Sequence, residues 1–132
     1  MITEQQTDKP VSKAHRAVVE QYFKAFNTND FTTAAGLFSA EGELHPPFDE
    51  AIVGPTAIAA YLQQEASKMK AYPKSIAGAD REQVEVIGQV DAVVFKVGVR
   101  WTFSLTEAAK IRTLSIRLLA SMKELLTMRS DR

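Results

Sequence analysis

The sequence predicts an α+β domain, helices first and a curved antiparallel sheet afterwards, on three observations. Apolar residues recur at spacings of three and four in three segments between Ser12 and Met69, the spacing falls to two beyond Pro73, and two glycines and two prolines cluster between Gly42 and Gly54 around short apolar positions. At 132 residues the chain is expected to form a single domain over 12–132. The preceding residues 1–11 are polar, follow neither period and read as a flexible leader.

Val18, Val19, Tyr22, Phe23 and Phe26 share one face of a helix running from Ser12 to about Asn27. Asp30 is the predicted N-cap of a shorter helix with Ala34, Leu37 and Phe38 on its apolar side. Between Gly42 and Gly54, Pro46 and Pro47 interrupt the apolar positions Leu44 and Ile52, which reads as two short strands joined by a stiff loop. Pro55 suits the first turn of a third helix whose buried stripe is Ile58, Tyr61, Leu62 and Met69.

Ala77 to Asp80 reads as a turn, followed by a strand in which Val84, Val86 and Val90 alternate with Glu85 and Gln89. The longest alternation follows: Val93, Phe95, Val97, Val99, Trp101, Phe103 and Leu105 on one face, Lys96, Arg100, Thr102 and Ser104 on the other. Thr106 to Ala109 is the predicted hairpin connection. Ile111 to Leu119 then pairs back with Leu114, Ile116 and Leu118 inward, and Ser121 caps a last short helix.

Composition narrows the function. Sixteen basic residues balance sixteen acidic ones, so no bulk charge attracts nucleic acid. No cysteine is present, which excludes disulfides, thiol nucleophiles and thiolate metal sites, and the two histidines, His15 and His45, are too few for a histidine-rich site. No apolar run is long enough to span a membrane or act as a secretory signal, so a cytoplasmic protein is expected.

The order of helices, short hairpin and long strands resembles the nuclear transport factor 2 fold, a cone of sheet wrapped around a helix. Four stretches narrow the resemblance: Gln21-Tyr22-Phe23-Lys24-Ala25-Phe26-Asn27-Thr28-Asn29-Asp30-Phe31; Leu44-His45-Pro46-Pro47-Phe48 with Ile52-Val53-Gly54; Arg100-Trp101-Thr102-Phe103; and the tail Leu118-Leu119-Ala120-Ser121-Met122-Lys123-Glu124-Leu125-Leu126. In order from Val18 to Met128, these resemble the C-terminal domain of the cyanobacterial orange carotenoid protein, here read as a free-standing homologue.

The resemblance implies a non-enzymatic protein that binds a keto-carotenoid of the canthaxanthin or echinenone type, as a carrier, photoprotective pigment protein and quencher of singlet oxygen. It assigns two hydrogen bonds to the ring ketone, from Tyr22 and Trp101, and places Met69 and Ile116 in the apolar tunnel wall. Glu65 stands where the family keeps a glutamate that pairs with another domain. The resemblance also implies partners: a homodimer, and carotenoid exchange with a helical carotenoid-binding domain protein or a membrane.

The chemistry of the residues agrees with that assignment. A phenol O–H and an indole N–H are both donors, so one carbonyl oxygen can accept from both, each bond contributing about 1 kcal/mol net. Because a ring ketone is conjugated with the polyene, such donors shift absorption to the red. A chain this short has a radius of gyration of about 14 Å, so a carotenoid held by one end protrudes and invites a second protomer.

Some residues depart from the family pattern. The connection Gln89 to Val94 is short and lacks the family's Thr-Pro-Trp-Phe segment, Met122 replaces a proline, and Arg117 replaces an aspartate. Two other classes of function stay open. An isomerase or dehydratase of the ketosteroid-isomerase kind would draw on Glu43, His45, Asp49 and Glu50. A ligand-free dimerisation module would use none of these groups. Lys96, Arg100, Arg112 and Arg117 are expected on a solvated or interfacial sheet face.

Overall fold

A computed structural model describes residues 11–80 and 82–119. The leader up to Pro10 and the predicted last helix, with Ser121, Met122 and Met128, lie outside the described residues.

Helix α1 (Lys13–Asn27) starts where the Ser12 side chain accepts a hydrogen bond from the His15 amide at 3.1 Å. Its buried face is the one the spacing predicts, from Val18 to Phe26. Asn29, at φ 60°, reverses the chain in the left-handed conformation that asparagine tolerates. Asp30 then caps α2 (Phe31–Gly36) through the Thr33 amide at 3.3 Å.

Phe38 does not continue this helix as expected but opens strand β1 (Phe38–His45). The Ile111 amide donates to the Leu37 carbonyl at 2.9 Å and draws the chain into the sheet at once. Strand β2 (Ile52–Val53) pairs antiparallel with β1. Gly54, at φ +91°, turns the chain into α3 (Pro55–Glu65), with Pro55 in the first turn. The helix stops short of Met69, which packs against the core from the connection that follows rather than from the helical stripe.

The turn expected at Ala77 to Asp80 is instead the end of a long edge strand, β3 (Lys70–Asp80). Register shifts between Pro73 and Ser75 and between Gly78 and Asp80 break its alternation, and an edge strand accommodates Pro73. Strands β4 (Gln83–Asp91), β5 (Lys96–Leu105) and β6 (Ile111–Leu118) complete the meander. Val93 to Phe95 fall outside β5, in a tight turn closed by the Ala92 amide and Phe95 carbonyl at 2.8 Å. Thr106 to Lys110 form the predicted hairpin connection.

The six strands run in the order β2-β1-β6-β5-β4-β3. All neighbours are antiparallel except β1 and β6, so the sheet is mixed rather than purely antiparallel. The last strand of the meander arrives beside β1 running in the same direction. Helix α1 is tied to the far edge by the Asn27 side chain, which donates to the Ala71 carbonyl at 2.8 Å and accepts from the Ala71 amide at 2.7 Å. The core lies between the helices and the inward face of the sheet, where Leu44, Ile58, Val86, Phe103, Leu105 and Leu114 are fully buried. On the outer face Arg100 and Arg112 approach Glu85 and Glu82 at 3.8 and 3.4 Å, as expected of a solvated surface.

Candidate functional site: an apolar cavity inside the cone

Trp101 is buried on the inward face of β5, and the sheet register sets Ile116 of β6 directly beside it. Val97 and Val99 continue the same wall along β5, Leu44 of β1 and Leu62 of α3 close it from two sides, and Phe26 closes it from α1. Together with Ala66 and Met69 they enclose a cavity of about 350 Å³. Three of the four predicted ligand contacts, Trp101, Met69 and Ile116, therefore meet around one space.

Tyr22 is not on that wall. Its ring is enclosed by Phe23, Phe26, Phe38 and Phe103, with centroids at 5.5, 6.0, 6.5 and 5.6 Å. Phe103 lies two residues beyond Trp101 on the same face of β5, about 7 Å further along the strand. Tyr22 is thus one layer deeper in the cone. Its hydroxyl is buried with no hydrogen-bond partner among the described residues, and burial raises the phenol well above the ordinary tyrosine value. The group stays a protonated donor.

The lining residues that reach solvent mark the mouth. Phe48 is 84% exposed, Phe95 53% and Leu118 41%; Leu118 keeps the inward side that alternation predicts, opposite Val99, but at the rim. Val93 and Val94, 73% and 87% exposed, stand in the same turn as Phe95. The mouth also carries one polar cluster. The Tyr61 hydroxyl donates to Asp49 at 2.7 Å, and Asp49 and Glu65 are both exposed lining residues. Partial burial, that hydrogen bond and the two carboxylate charges all raise the Tyr61 phenol. Beyond the Pro46–Phe48 loop, a second, more open depression of about 470 Å³ is lined by His45, Ser115 and Arg117.

The carboxylates considered for catalysis are dispersed. Glu43 and His45 pair with each other at 2.8 Å along β1, Asp49 binds Tyr61, and Glu50 is exposed. Among the described residues no group of three or more histidine, aspartate or glutamate side chains could hold a metal ion, and no helix is long and apolar enough to cross a membrane. Sequence reasoning placed Phe26 in the core without seeing that it faces the cavity. It also missed Phe95 as a rim residue, because alternation assigned it to a buried strand position, and it placed Leu118 on the inward side without seeing that this residue reaches the rim.

Comparison with known proteins agrees with this geometry. The SnoaL-like domain family matches residues 19–120. The orange carotenoid-binding protein of Synechocystis sp. is 34% identical over 94% of this chain, which spans 42% of that protein's length. The structure of the Anabaena (Nostoc) sp. orange carotenoid protein binding canthaxanthin superposes with a TM-score of 0.74 at 32% identity, covering 92% of this chain and 41% of that one. An epoxide hydrolase/cyclase-like enzyme of salinomycin pyran-ring formation shares the fold alone, at TM-score 0.71 and 18% identity, covering 90% of this chain and 95% of its own. An inward-facing tryptophan over an apolar cavity, in a mixed sheet packed by helices, is thus the framework of a nuclear transport factor 2-like protein: the chain belongs to the SnoaL-like domain family and is homologous to the C-terminal domain of the orange carotenoid protein.

Proposed function

We propose that the cavity binds one ring end of a keto-carotenoid of the canthaxanthin or echinenone type, and that the protein acts as a carotenoid carrier and photoprotective quencher. The observation that carries this reading is a buried Tyr22 hydroxyl without a partner among the described residues, one aromatic layer from an apolar cavity walled by Trp101. An orphaned donor beside an apolar space favours a ligand that is greasy and ends in an acceptor. The canthaxanthin bound by the Anabaena protein supports that ligand class.

A volume of about 350 Å³ is small among ligand sites, which span roughly 300–1,000 Å³. It suits a terminal ring and the start of the polyene, while the remaining pigment crosses the mouth. Phe48, Phe95 and Leu118 make that crossing apolar, and a second protomer, a helical carotenoid-binding domain protein or a membrane takes up the protruding part. Most of the affinity comes from burial of apolar surface, at roughly 25 cal/mol per Å². The ring ketone supplies orientation and the red shift.

Expression in cells that make canthaxanthin, followed by visible spectroscopy of the purified protein, tests the reading. A coloured, red-shifted product is expected, and a colourless one overturns it. Trp101→Phe and Tyr22→Phe should each weaken the complex or shift its absorption to the blue while the apo protein keeps its fold. Unchanged spectra in both would remove the polar anchor.

A second reading rests on the Tyr61–Asp49 hydrogen bond over the cavity mouth. A phenol and a carboxylate beside an apolar site are groups an isomerase or dehydratase can use. That reading requires turnover of a steroid-like or hydroxylated aromatic ketone that disappears in Asp49→Asn.

A further inference from the structure

We propose that Phe26 is the specificity-determining partition of the cavity: it separates the space beside Trp101 from the Tyr22 hydroxyl, and a ring-ketone ligand must displace it to accept from Tyr22. The proposal rests on the keto-carotenoid reading. Of the four rings around Tyr22, only Phe26 also lines the cavity. Phe23 bridges Tyr22 and Trp101, with centroids at 5.5 and 4.8 Å, yet is not among the lining residues. Phe38 and Phe103 are buried and do not line the cavity. The route from the cavity to Tyr22 Oη therefore leads past Phe26.

Phe26 is placed to move. It follows Tyr22 by four residues on α1, so the two rings share one helical face, and it also meets the Phe31 ring in a T-shaped contact at 5.9 Å. Aromatic side chains on helices have two accessible χ1 wells, near 180° and −60°. Displacing the Phe26 ring gives up its packing against Tyr22 and Phe31, a loss comparable to the hydrogen bond that follows, so the wild type realises little of that bond. What the displacement adds is the hydrogen bond that Tyr22 otherwise lacks. A hydrocarbon ring gains nothing by the displacement and stays at the level of Trp101. The phenol thus favours ketones, and Phe26 sets how much of that preference a ligand realises.

The chain has a single tryptophan, and it lies in the cavity wall, so its fluorescence reports occupancy. The experiment titrates the wild type, Phe26→Ala, Phe26→Leu, Tyr22→Phe and the two double variants with a trimethylcyclohexenone, and with the matching trimethylcyclohexene. Phe26→Ala should tighten ketone binding relative to the hydrocarbon by about fivefold, the worth of one ordinary hydrogen bond. That gain should vanish when Tyr22→Phe is added. Phe26→Leu should move binding in the same direction by less, and it carries the test if the alanine variant does not fold. An equal gain with and without the Tyr22 hydroxyl, an equal gain for the hydrocarbon, or no ketone binding in any variant overturns the proposal. Ketone coupling in a protein that stays colourless in canthaxanthin-producing cells would sustain Phe26 and overturn the carotenoid reading. A coloured wild type without coupling would overturn Phe26 alone.

Discussion

Tyr22 gives up its hydration in the folded chain without gaining a partner among the described residues, and such a group costs about 1–3 kcal/mol. Tyr22→Phe should therefore stabilise the ligand-free protein by about 1 kcal/mol, seen as a higher midpoint in thermal or urea unfolding. The same change also acts on the alkaline side. Burial raises the Tyr22 phenol above its unfolded value near 10, so above that pH the unfolded chain releases a proton that the folded chain retains. Stability is complete below pH 10 and falls as pH rises. Tyr22→Phe should move the alkaline unfolding edge to higher pH, and an unmoved edge would mean that Tyr22 is not the group that titrates. At this scale the resemblance named Tyr22 and Trp101, and helical spacing put Tyr22 and Phe26 on one face. Neither could tell which ring would reach the cavity, because that depends on how far along β5 each packs.

Elements were legible where one physical rule governed them. Ser12 and Asp30 cap helices as their residue type dictates, and the alternation of β4 and β5 matches their burial. Strand β3 was hidden because its shifts of register scramble the period of two on which strand recognition depends. Gly88 is the counterpart of one of these shifts. A Cβ there would lie 2.2 Å from the Tyr72 carbonyl oxygen and 2.8 Å from Pro73 Cα, both of them backbone atoms that cannot rotate away. Gly88→Ala should force β3 and β4 apart and cost about 1–3 kcal/mol, measured by urea unfolding. Gly36 provides the control. A Cβ at this position in α2 meets nothing within 4 Å, so Gly36→Ala should be neutral or stabilising by up to about 1 kcal/mol. Equal effects at the two glycines would contradict the close approach at Gly88.

At the scale of the molecule, the cone joins an interior cavity to an apolar rim, and the rim is the part that periodicity misassigned. Alternation read Val93 and Phe95 as buried strand residues, but the chain turns before β5 and presents Val93, Val94 and Phe95 to solvent beside the mouth. Hairpin turns ordinarily carry polar residues, and three consecutive exposed apolar side chains beside a cavity mouth form a patch that, under the carotenoid-carrier proposal, is where a lipid surface or a second protein would meet the rim. Val94, at 87% exposed, contributes little packing, so Val94→Asp should change stability by less than about 0.5 kcal/mol. The introduced carboxylate would have to lose its water wherever the rim meets a lipid surface or a second protein. Pigment uptake from canthaxanthin-loaded vesicles should therefore slow in Val94→Asp, while binding of detergent-dispersed canthaxanthin, which needs only the cavity, stays as in the wild type. Loss of both would place Val94 within the binding site itself, and loss of neither would leave the rim without a part in transfer.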